Sequence, residues 1–128
     1  ENIIAMNTIE SIERSKFEWE SAFDAMDDLI SIHDKDFTIV RANKAVAKKF
    51  NMDIRKIAGE KCYKIFHGTE EPWKTCPHRK TMETMTPCTE EIDDPHMCGI
   101  FIVTTYPYFN ERGSCTGSIH VAKEMIEK

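Results

Sequence analysis

Apolar side chains recur at every third or fourth position through the first 26 residues of the chain. This spacing is typical of an amphipathic helix over residues 3–26, with one polar interruption at Lys16. The positions are Ala5, Ile9, Ile12, Lys16, Trp19, Phe23 and Met26. Two interpretations stay open: the helix packs on its own domain, or its first half pairs with a second copy of the chain. We assign residues 1–18 to an N-terminal signalling and dimerisation helix and residues 19–128 to the globular domain.

Beyond residue 26 the apolar pattern shortens into strand-length runs separated by capped turns. Asn43 stands where a helix N-cap belongs, because its side chain can accept a hydrogen bond from the first helical turn. Pro107, near the end of a long strand, indicates an edge or a bulge there. The pattern predicts strands over 29–33, 37–42, 88–93, 100–109 and 114–123, and short helices over 44–50, 54–58, 62–66 and 77–85. This order gives an α+β fold, a five-stranded antiparallel sheet with short helices on one face.

Composition narrows the class of protein. The chain has 128 residues, 41% of them hydrophobic and 30% charged, which suits one soluble globular domain. A net charge of −5 argues against a nucleic-acid partner, which would need a basic patch. No apolar run reaches the roughly 18 residues of a membrane-spanning helix. Because the chain begins at Glu1 without a Met, we expect it to be a piece of a longer protein.

The cysteines are odd in number and irregularly spaced. They are Cys62, Cys76, Cys88, Cys98 and Cys115. Without a visible secretory signal, reduced thiols in the cytoplasm are favoured over structural disulfides.

Several short motifs together resemble the PAS domain family, in the form found in bacterial and archaeal sensor histidine kinases whose central loop carries extra cysteines. The matching segments are Phe23–Met26, Asp28–His33, Val40–Asn43, Ile57–Gly59 with Cys62 and Tyr63, Phe66–Gly68, Glu71–Pro72, Cys76–Pro77, and Pro107 with Gly113 and Gly117. The resemblance covers about residues 17–128. Residues 123–128 stand where the family's exit motif falls, and they depart from that motif at three positions.

The resemblance implies a cytoplasmic sensor domain without catalysis of its own. Its partners would be a second copy, bound through the N-terminal helix and the sheet, and an output domain in the same parent chain, which we expect to be a histidine kinase. A small ligand or a partner surface would supply the signal. Two alternatives stay open: a metal- or redox-responsive switch that uses Cys62, Cys76 and nearby histidines, or a ligand-free module for protein interaction.

Four side chains near the covering helices have the chemistry of metal ligands. Cys62, His67, Cys76 and His78 follow the spacing C-x4-H-x8-C-x-H, and thiolates and imidazoles suit zinc or iron. The spacing matches no closed structural zinc pattern, so a metal site is a minor hypothesis. The competing interpretation makes Cys62 a buried apolar residue and puts the two histidines at helix ends. A redox role for the two cysteines is equally open.

A ligand pocket is predicted between the helices and the last two strands. Its candidate residues are Phe66, Met82, Met85, Ile102, Thr104, Ser118 and His120. His120 stands out because it interrupts an apolar strand. The face on which it lies stays open, since Ile119 and Val121 favour the opposite register.

The cofactor stays unidentified, and two familiar ones are disfavoured. The light-sensing members of the family carry a reactive Cys in the short helix that holds Cys62, but their flavin-contacting residues are missing here and Ala122 replaces a Gln. Haem would need an axial ligand, and His78, beside Pro77, is expected to face solvent. No phosphate loop, nucleophile elbow or metalloprotease helix indicates an enzyme.

Overall fold

The computed structural model describes residues 2–125 of the chain, and the side chains of residues 7–125. The elements are α1 (Asn2–Ala25), β1 (Leu29–Asp34), β2 (Ile39–Ala42), α2 (Lys44–Phe50), α3 (Ile54–Ile57), α4 (Cys62–His67), α5 (Pro77–Thr84), β3 (Cys88–Asp94), β4 (Gly99–Phe109) and β5 (Cys115–Glu124). The strands form one antiparallel five-stranded sheet in the order β2-β1-β5-β4-β3. The predicted α+β fold is therefore confirmed.

The core lies between the inner face of the sheet and the short helices α2 to α5. Along β4 the side chains alternate, so that Phe101 and Val103 are buried while Ile102 and Tyr106 face outward. Phe66 of α4 and Ile57 of α3 pack against the inner face in one continuous apolar cluster. The opposite surface of the sheet, called the outer face below, remains largely open and apolar on β4.

Asn43 joins three elements at the edge of this core. Its side-chain oxygen accepts from the backbone N–H of Val46 (3.3 Å) and of Ile30 (3.2 Å), which caps α2 and fixes it to β1. Its amide nitrogen donates to the carbonyl oxygens of Phe23 and Asp28, each at 3.0 Å. The predicted N-cap is confirmed, and the same residue also anchors the end of α1.

The first half of α1 does not pack on the globule. The described residues from Asn7 to Trp19 are exposed, and Ile12 has 63% of its surface accessible. Contact begins near Glu20, which pairs with Arg41 at 3.5 Å. The side chain of Ala5 and residues 126–128 of the predicted exit lie outside the described residues. The division at residue 18 stays a prediction.

Local differences from the predicted bounds follow from turn geometry. β2 begins at Ile39 because the side chain of Asp34 accepts from the N–H groups of Asp36 and Thr38, which holds Phe37 in a turn at φ 69°. Pro107 lies beyond the last residue pair of β3 and β4, next to a bulge, as predicted. Among residues 2–125, no helix is long and apolar enough to cross a membrane.

Candidate functional site: a buried histidine cluster

Four polar side chains meet on the inner face of the two central strands. Ser31 and His33 of β1 lie opposite His120 and Ser118 of β5, so the two histidines are diagonal neighbours. All four are buried; His33 is 1% exposed and His120 is 7% exposed. Their ring centroids are 4.9 Å apart and the rings are stacked.

A third histidine reaches the same place from the helical side. His78 lies in the first turn of α5, directly after Pro77, and is fully buried. Its ring centroid is 5.7 Å from that of His33. The expectation that His78 faces solvent is therefore wrong, because the first turn of α5 lies over β5, where His78 Nδ1 and Ser118 Oγ share a hydrogen bond of 2.6 Å. We call His33, His78 and His120, with the two serines, the histidine site.

Each of these imidazoles keeps one ring nitrogen without a partner. His33 Nε2 hydrogen-bonds to Ser31 Oγ at 2.7 Å. Within the part of the chain that the structure describes, three buried ring nitrogens have no hydrogen-bond partner: Nδ1 of His33, Nε2 of His78 and Nδ1 of His120. More than nine-tenths of buried polar groups in proteins are paired, so three such atoms in one place indicate a site for something else.

The site is electrostatically neutral at pH 7. Burial, together with the neighbouring His67 and His78, lowers the pKa of His120 to about 3. Burial also holds the pKa of His33 well below its ordinary value, with His120 and His78 adding to the effect. Burial lowers the pKa of His78 as well, although the backbone of Lys35 and both the charge and the backbone of Asp34 oppose this. All three rings are consequently uncharged imidazoles.

The space among these rings is small. The cavity has a volume of about 10 Å³. The four predicted metal ligands, Cys62, His67, Cys76 and His78, all line it, together with His33, Tyr63, Phe66, Trp73, Pro77, Ile92 and His120. In their present orientation no three His, Cys, Asp or Glu side chains among the described residues are arranged to hold a metal ion.

The thiols in this wall are unreactive as they stand. All five cysteines, each among the described residues, are free. Burial raises the pKa of the Cys62 thiol above its usual range, and burial also raises the pKa of Cys76. Both are thus protonated at pH 7, whereas the thiolate is the nucleophile. Cys62 behaves as the buried small residue that the competing interpretation described.

His67 belongs to a second, neighbouring pair. Its Nδ1 lies 2.6 Å from a carboxylate oxygen of the buried Asp94, and Trp73 stacks on the ring with centroids 4.1 Å apart. Burial lowers the pKa of His67 although Asp94 opposes the shift. We therefore regard the contact as a hydrogen bond from a neutral ring to the carboxylate.

The predicted pocket residues divide into two groups. Phe66, Ser118 and His120 lie in or beside the histidine site, and Met82 is half-buried on α5. Met85 is 46% exposed and Ile102 is 39% exposed, so neither can line an interior pocket. Met85 follows the end of α5 in a left-handed conformation, which turns it away from the core.

Thr104 is also misplaced by the prediction, because it lies on the outer face of β4, as Ile102 does. The inner residues of β4 are Phe101, Val103 and Thr105, and Thr104 lies on the outer face, where its hydroxyl reaches Thr89 of β3 at 3.0 Å. The prediction missed His33. The alternation of residues along β1 could have identified it, because Ile30 and Ile32 share one face of the strand and Ser31 and His33 share the other.

A larger opening lies elsewhere. A surface groove of about 720 Å³ runs between the end of α1, α2 and the sheet, over Phe101 and Ala122. Its rim mixes lysines with carboxylates, so it selects no single charge. The unpaired buried nitrogens belong to the histidine site, which is therefore the candidate functional site.

A family profile described as the PAS domain matches residues 27–125, most of the chain and the whole of the sheet. This chain belongs to the PAS domain family. No curated protein matches it. Solved structures of PAS domains share the fold at low identity. A PAS domain from Colwellia psychrerythraea has a TM-score of 0.67 at 18% identity, with 89% of this chain and 97% of that one covered.

Two further neighbours come from signalling proteins. A sensory box sensor histidine kinase from Vibrio cholerae has a TM-score of 0.68 at 13% identity and covers 94% of this chain and 99% of its own. The VqmA dimer of Vibrio cholerae has a TM-score of 0.65 at 18% identity. The alignment covers 86% of this chain but only 52% of the VqmA chain. At these identities the likeness shows the fold alone.

Proposed function

We propose that this PAS domain is the sensory part of a signal-transduction protein, a cytoplasmic histidine kinase, and that the histidine site receives the signal. The observation that carries the proposal is the set of three buried, unpaired imidazole nitrogens. The likeness to a sensory box histidine kinase supports the choice of parent. The module would sense and relay, and catalysis would belong to the output domain.

The energetic argument favours a functional role for the site. Each unpaired buried polar group costs about 1–3 kcal/mol, so three of them take a large share of a typical domain stability of about 5–15 kcal/mol. Apolar side chains of similar size would remove that cost. A site that retains it is better explained by a bound partner that satisfies the nitrogens than by packing.

The relay would run through β1 into α1. His33 is near the end of β1, and the same strand begins four residues after α1 ends. Asn43 holds that junction together, since it binds the carbonyl oxygens of Phe23 and Asp28 and the N–H of Ile30. A change in the position of β1 would therefore alter the exit angle of α1.

A second copy of the chain is the proposed partner of α1. Ile9, Ile12 and Trp19 are exposed on the helix and follow the heptad spacing that pairs helices. On the outer face of the sheet, Ile102 and Tyr106 extend the apolar surface. The overall charge of −5 still argues against nucleic acid as a direct partner.

Sedimentation of the 128-residue chain tests the dimer. We expect a dimer for the native chain and a monomer for Ile12→Glu, because a buried charge in the seam is not paired. Arg14→Glu, off the seam, is the matched control and should remain dimeric. A native monomer, or dimers that ignore Ile12→Glu, would contradict this part of the proposal.

Hydrogen exchange tests the relay. A His33→Asn substitution should change the protection of the last two turns of α1, residues 20–25, relative to the native dimer. His96→Asn, outside the site, should not. Identical exchange in α1 for both variants and the native chain would refute the route through β1.

One alternative has a specific observation in its favour. The small cavity, about 10 Å³, suits a ligand-free interaction module as well as a sensor of a very small ligand. Mass spectrometry of whatever denaturation releases from purified protein would separate these. A redox switch is disfavoured because both wall thiols are held in the protonated form.

A further inference from the structure

We propose that the surface groove between the end of α1, α2 and the sheet binds a small zwitterion. The ligand would carry an ammonium group, a carboxylate and an apolar body, as an apolar amino acid or a short peptide does. The groove and the histidine site share no lining residue. Its volume of about 720 Å³ falls in the range of about 300–1,000 Å³ that is usual for sites of small organic ligands.

One wall of the groove is positively charged. Lys44, Lys48 and Lys49 of α2 all line it, and none of the seven residues of that helix is acidic. Lys44 and Lys48 are four positions apart, so they project from the same side of α2. Lys49 Nζ lies 5.3 Å from the centroid of the Phe101 ring, which is part of the groove floor. A carboxylate in the groove would therefore meet several ammonium groups.

The opposite wall is negatively charged. Asp24, Asp27 and Asp28, at the end of α1 and just after it, line this side, and residues 21–29 contain no Lys or Arg. The end of β5 adds one charge of each sign, from Lys123 and Glu124. The groove thus holds four lysines and four carboxylates, and its formal charge is zero. A ligand without net charge that carries both signs matches this wall-by-wall separation.

The charged side chains of the groove do not neutralise one another directly. Within the part of the chain that the structure describes, six ion pairs form, and none includes a side chain that lines the groove. Elsewhere on the surface opposite charges do meet, as Lys80 and Glu90 do at 2.9 Å. Both signs in the groove are therefore available to a bound molecule.

Hydrogen bonds hold the two walls at a fixed separation. A carboxylate oxygen of Asp24 accepts from the backbone N–H of Lys44 at 3.1 Å. Asn43, which precedes α2, donates from its side-chain amide to the carbonyl oxygen of Asp28 at 3.0 Å. The backbone of the site is thus ordered before a ligand arrives, so little ordering of the chain opposes binding.

Apolar side chains form the floor between the walls. Leu29, Phe101 and Ala122 of the sheet lie there, together with Ala45 of α2. Met26, at the edge of the groove, has 52% of its surface exposed, and the apolar body of a ligand would cover it. A wholly polar zwitterion would leave this surface in water, which is why we assign the ligand an apolar side chain.

The groove lies where α1 joins the sheet. Met26, Asp27 and Asp28 form the connection between α1 and β1, and α2 faces them across the groove. A zwitterion that pairs with both walls would fix this connection relative to α2 and so restrict the direction of α1. That effect on α1 rests on the proposed function, whereas the binding itself does not.

Backbone-amide NMR of the 128-residue chain, titrated at about pH 7 with free leucine and with leucylleucine, tests the inference. We expect saturable shifts of the amides of Asp27, Ala45 and Lys48 at millimolar or tighter affinity, and unshifted amides of Ser31 and Ser118 in the histidine site. The two probes separate an amino acid from a short peptide. N-acetyl-leucylleucine lacks the ammonium group and leucylleucine amide lacks the carboxylate, so each should bind about fivefold more weakly than leucylleucine.

Two substitutions of exposed side chains identify which wall binds which end of the ligand. Lys48→Gln should weaken leucylleucine about two- to fivefold and leave leucylleucine amide unchanged, because the amide has no carboxylate to pair with Lys48. Asp27→Asn should likewise weaken leucylleucine and leave N-acetyl-leucylleucine unchanged. Lys56→Gln and Asp36→Asn, exposed and outside the groove, are the matched controls and should bind like the native chain.

This pattern separates a lost contact from a structural defect, which would weaken all of the ligands alike. The inference would be overturned by the absence of saturable groove shifts with both probes, by equal affinity for leucylleucine and its two blocked forms, or by variants that weaken every ligand equally. Absence of binding with an intact dimer and relay leaves the proposed function standing. Binding in a chain without the dimer and the relay would overturn the proposed function alone.

Discussion

Acid should destabilise this PAS domain through the histidine site well above the pH at which carboxylates protonate. The pKa of His120 falls from an ordinary 6.5 to about 3 on folding. Because the folded pKa is the lower one, the unfolded chain binds the extra proton as the pH drops below 6.5. The stability contribution is therefore complete above that pH and is lost progressively down to the folded pKa.

The magnitude follows from the pH difference. At about pH 5, some 1.5 units below the unfolded pKa, His120 alone should remove about 2 kcal/mol of stability. His33, whose pKa is lowered by the same burial and the same neighbours, adds to this loss. Together they would remove a large part of a typical stability of about 5–15 kcal/mol.

Urea unfolding followed by circular dichroism at about pH 7.5 and about pH 5 measures the effect. The native chain should lose about 2 kcal/mol more than His120→Asn between these conditions, since the variant lacks one buried imidazole. His96→Asn removes a histidine outside the site and should behave like the native chain. Equal losses for the native chain and His120→Asn would refute the reasoning, because the ring would then carry its charge in the folded state.

Three further substitutions test the fold around the site by urea or thermal unfolding. Asn43→Ala should cost about 3 kcal/mol, because it leaves buried backbone groups of three elements unpaired, while Asn110→Ala in an exposed hairpin should cost at most about 1 kcal/mol. An equal cost for both would contradict the bridging role. Gly117→Ala should cost about 3 kcal/mol or more, since its Cβ would lie 1.8 Å from a backbone carbonyl oxygen of β1. Gly99→Ala is the control and should be near neutral, because its Cβ would meet the flexible Glu124 side chain at 3.3 Å and Phe101 at an ordinary contact distance of 3.5 Å. A folded Gly117→Ala of native stability would contradict the argument. Met85→Gly should raise stability by up to about 1 kcal/mol, because the exposed Met85 holds the left-handed conformation (φ 57°) at the end of α5, which Gly adopts without strain. A lower melting temperature for this variant would show that the Met85 side chain itself stabilises the fold.

The features predicted correctly from the sequence are those that a few neighbouring residues determine. The cap at Asn43 and the strand edge at Pro107 depend on local backbone chemistry, which the residue type fixes. The antiparallel arrangement of the strands was predicted from the lengths of the strands and of the turns between them. The spacing of apolar residues along α1 likewise predicted one long helix.

The misplaced residues depend on which face of an element is covered, and neighbours in sequence do not fix that. β4 carries apolar residues on both faces, so alternation alone could not tell Phe101 and Val103 from Ile102. His78 is buried because a whole helix lies across β5, a contact between residues 40 positions apart. The four predicted metal candidates did meet, around a cavity whose central histidine, His33, the prediction omitted.

The position of the histidine site within the sheet bears on how a signal would leave it. β1 and β5 are adjacent at the centre of the sheet, and they are also the strands that follow α1 and lead to the end of the described chain. Gly117 lets the backbones approach closely beside His33, so the two strands are held at a fixed spacing there. A ligand that draws the His33 and His120 rings together acts on both strands at once, and so on both chain ends. In the proposed relay no extended pathway of coupled residues would be required, because the strands that hold the histidine site are the same ones that adjoin the two ends of the described chain.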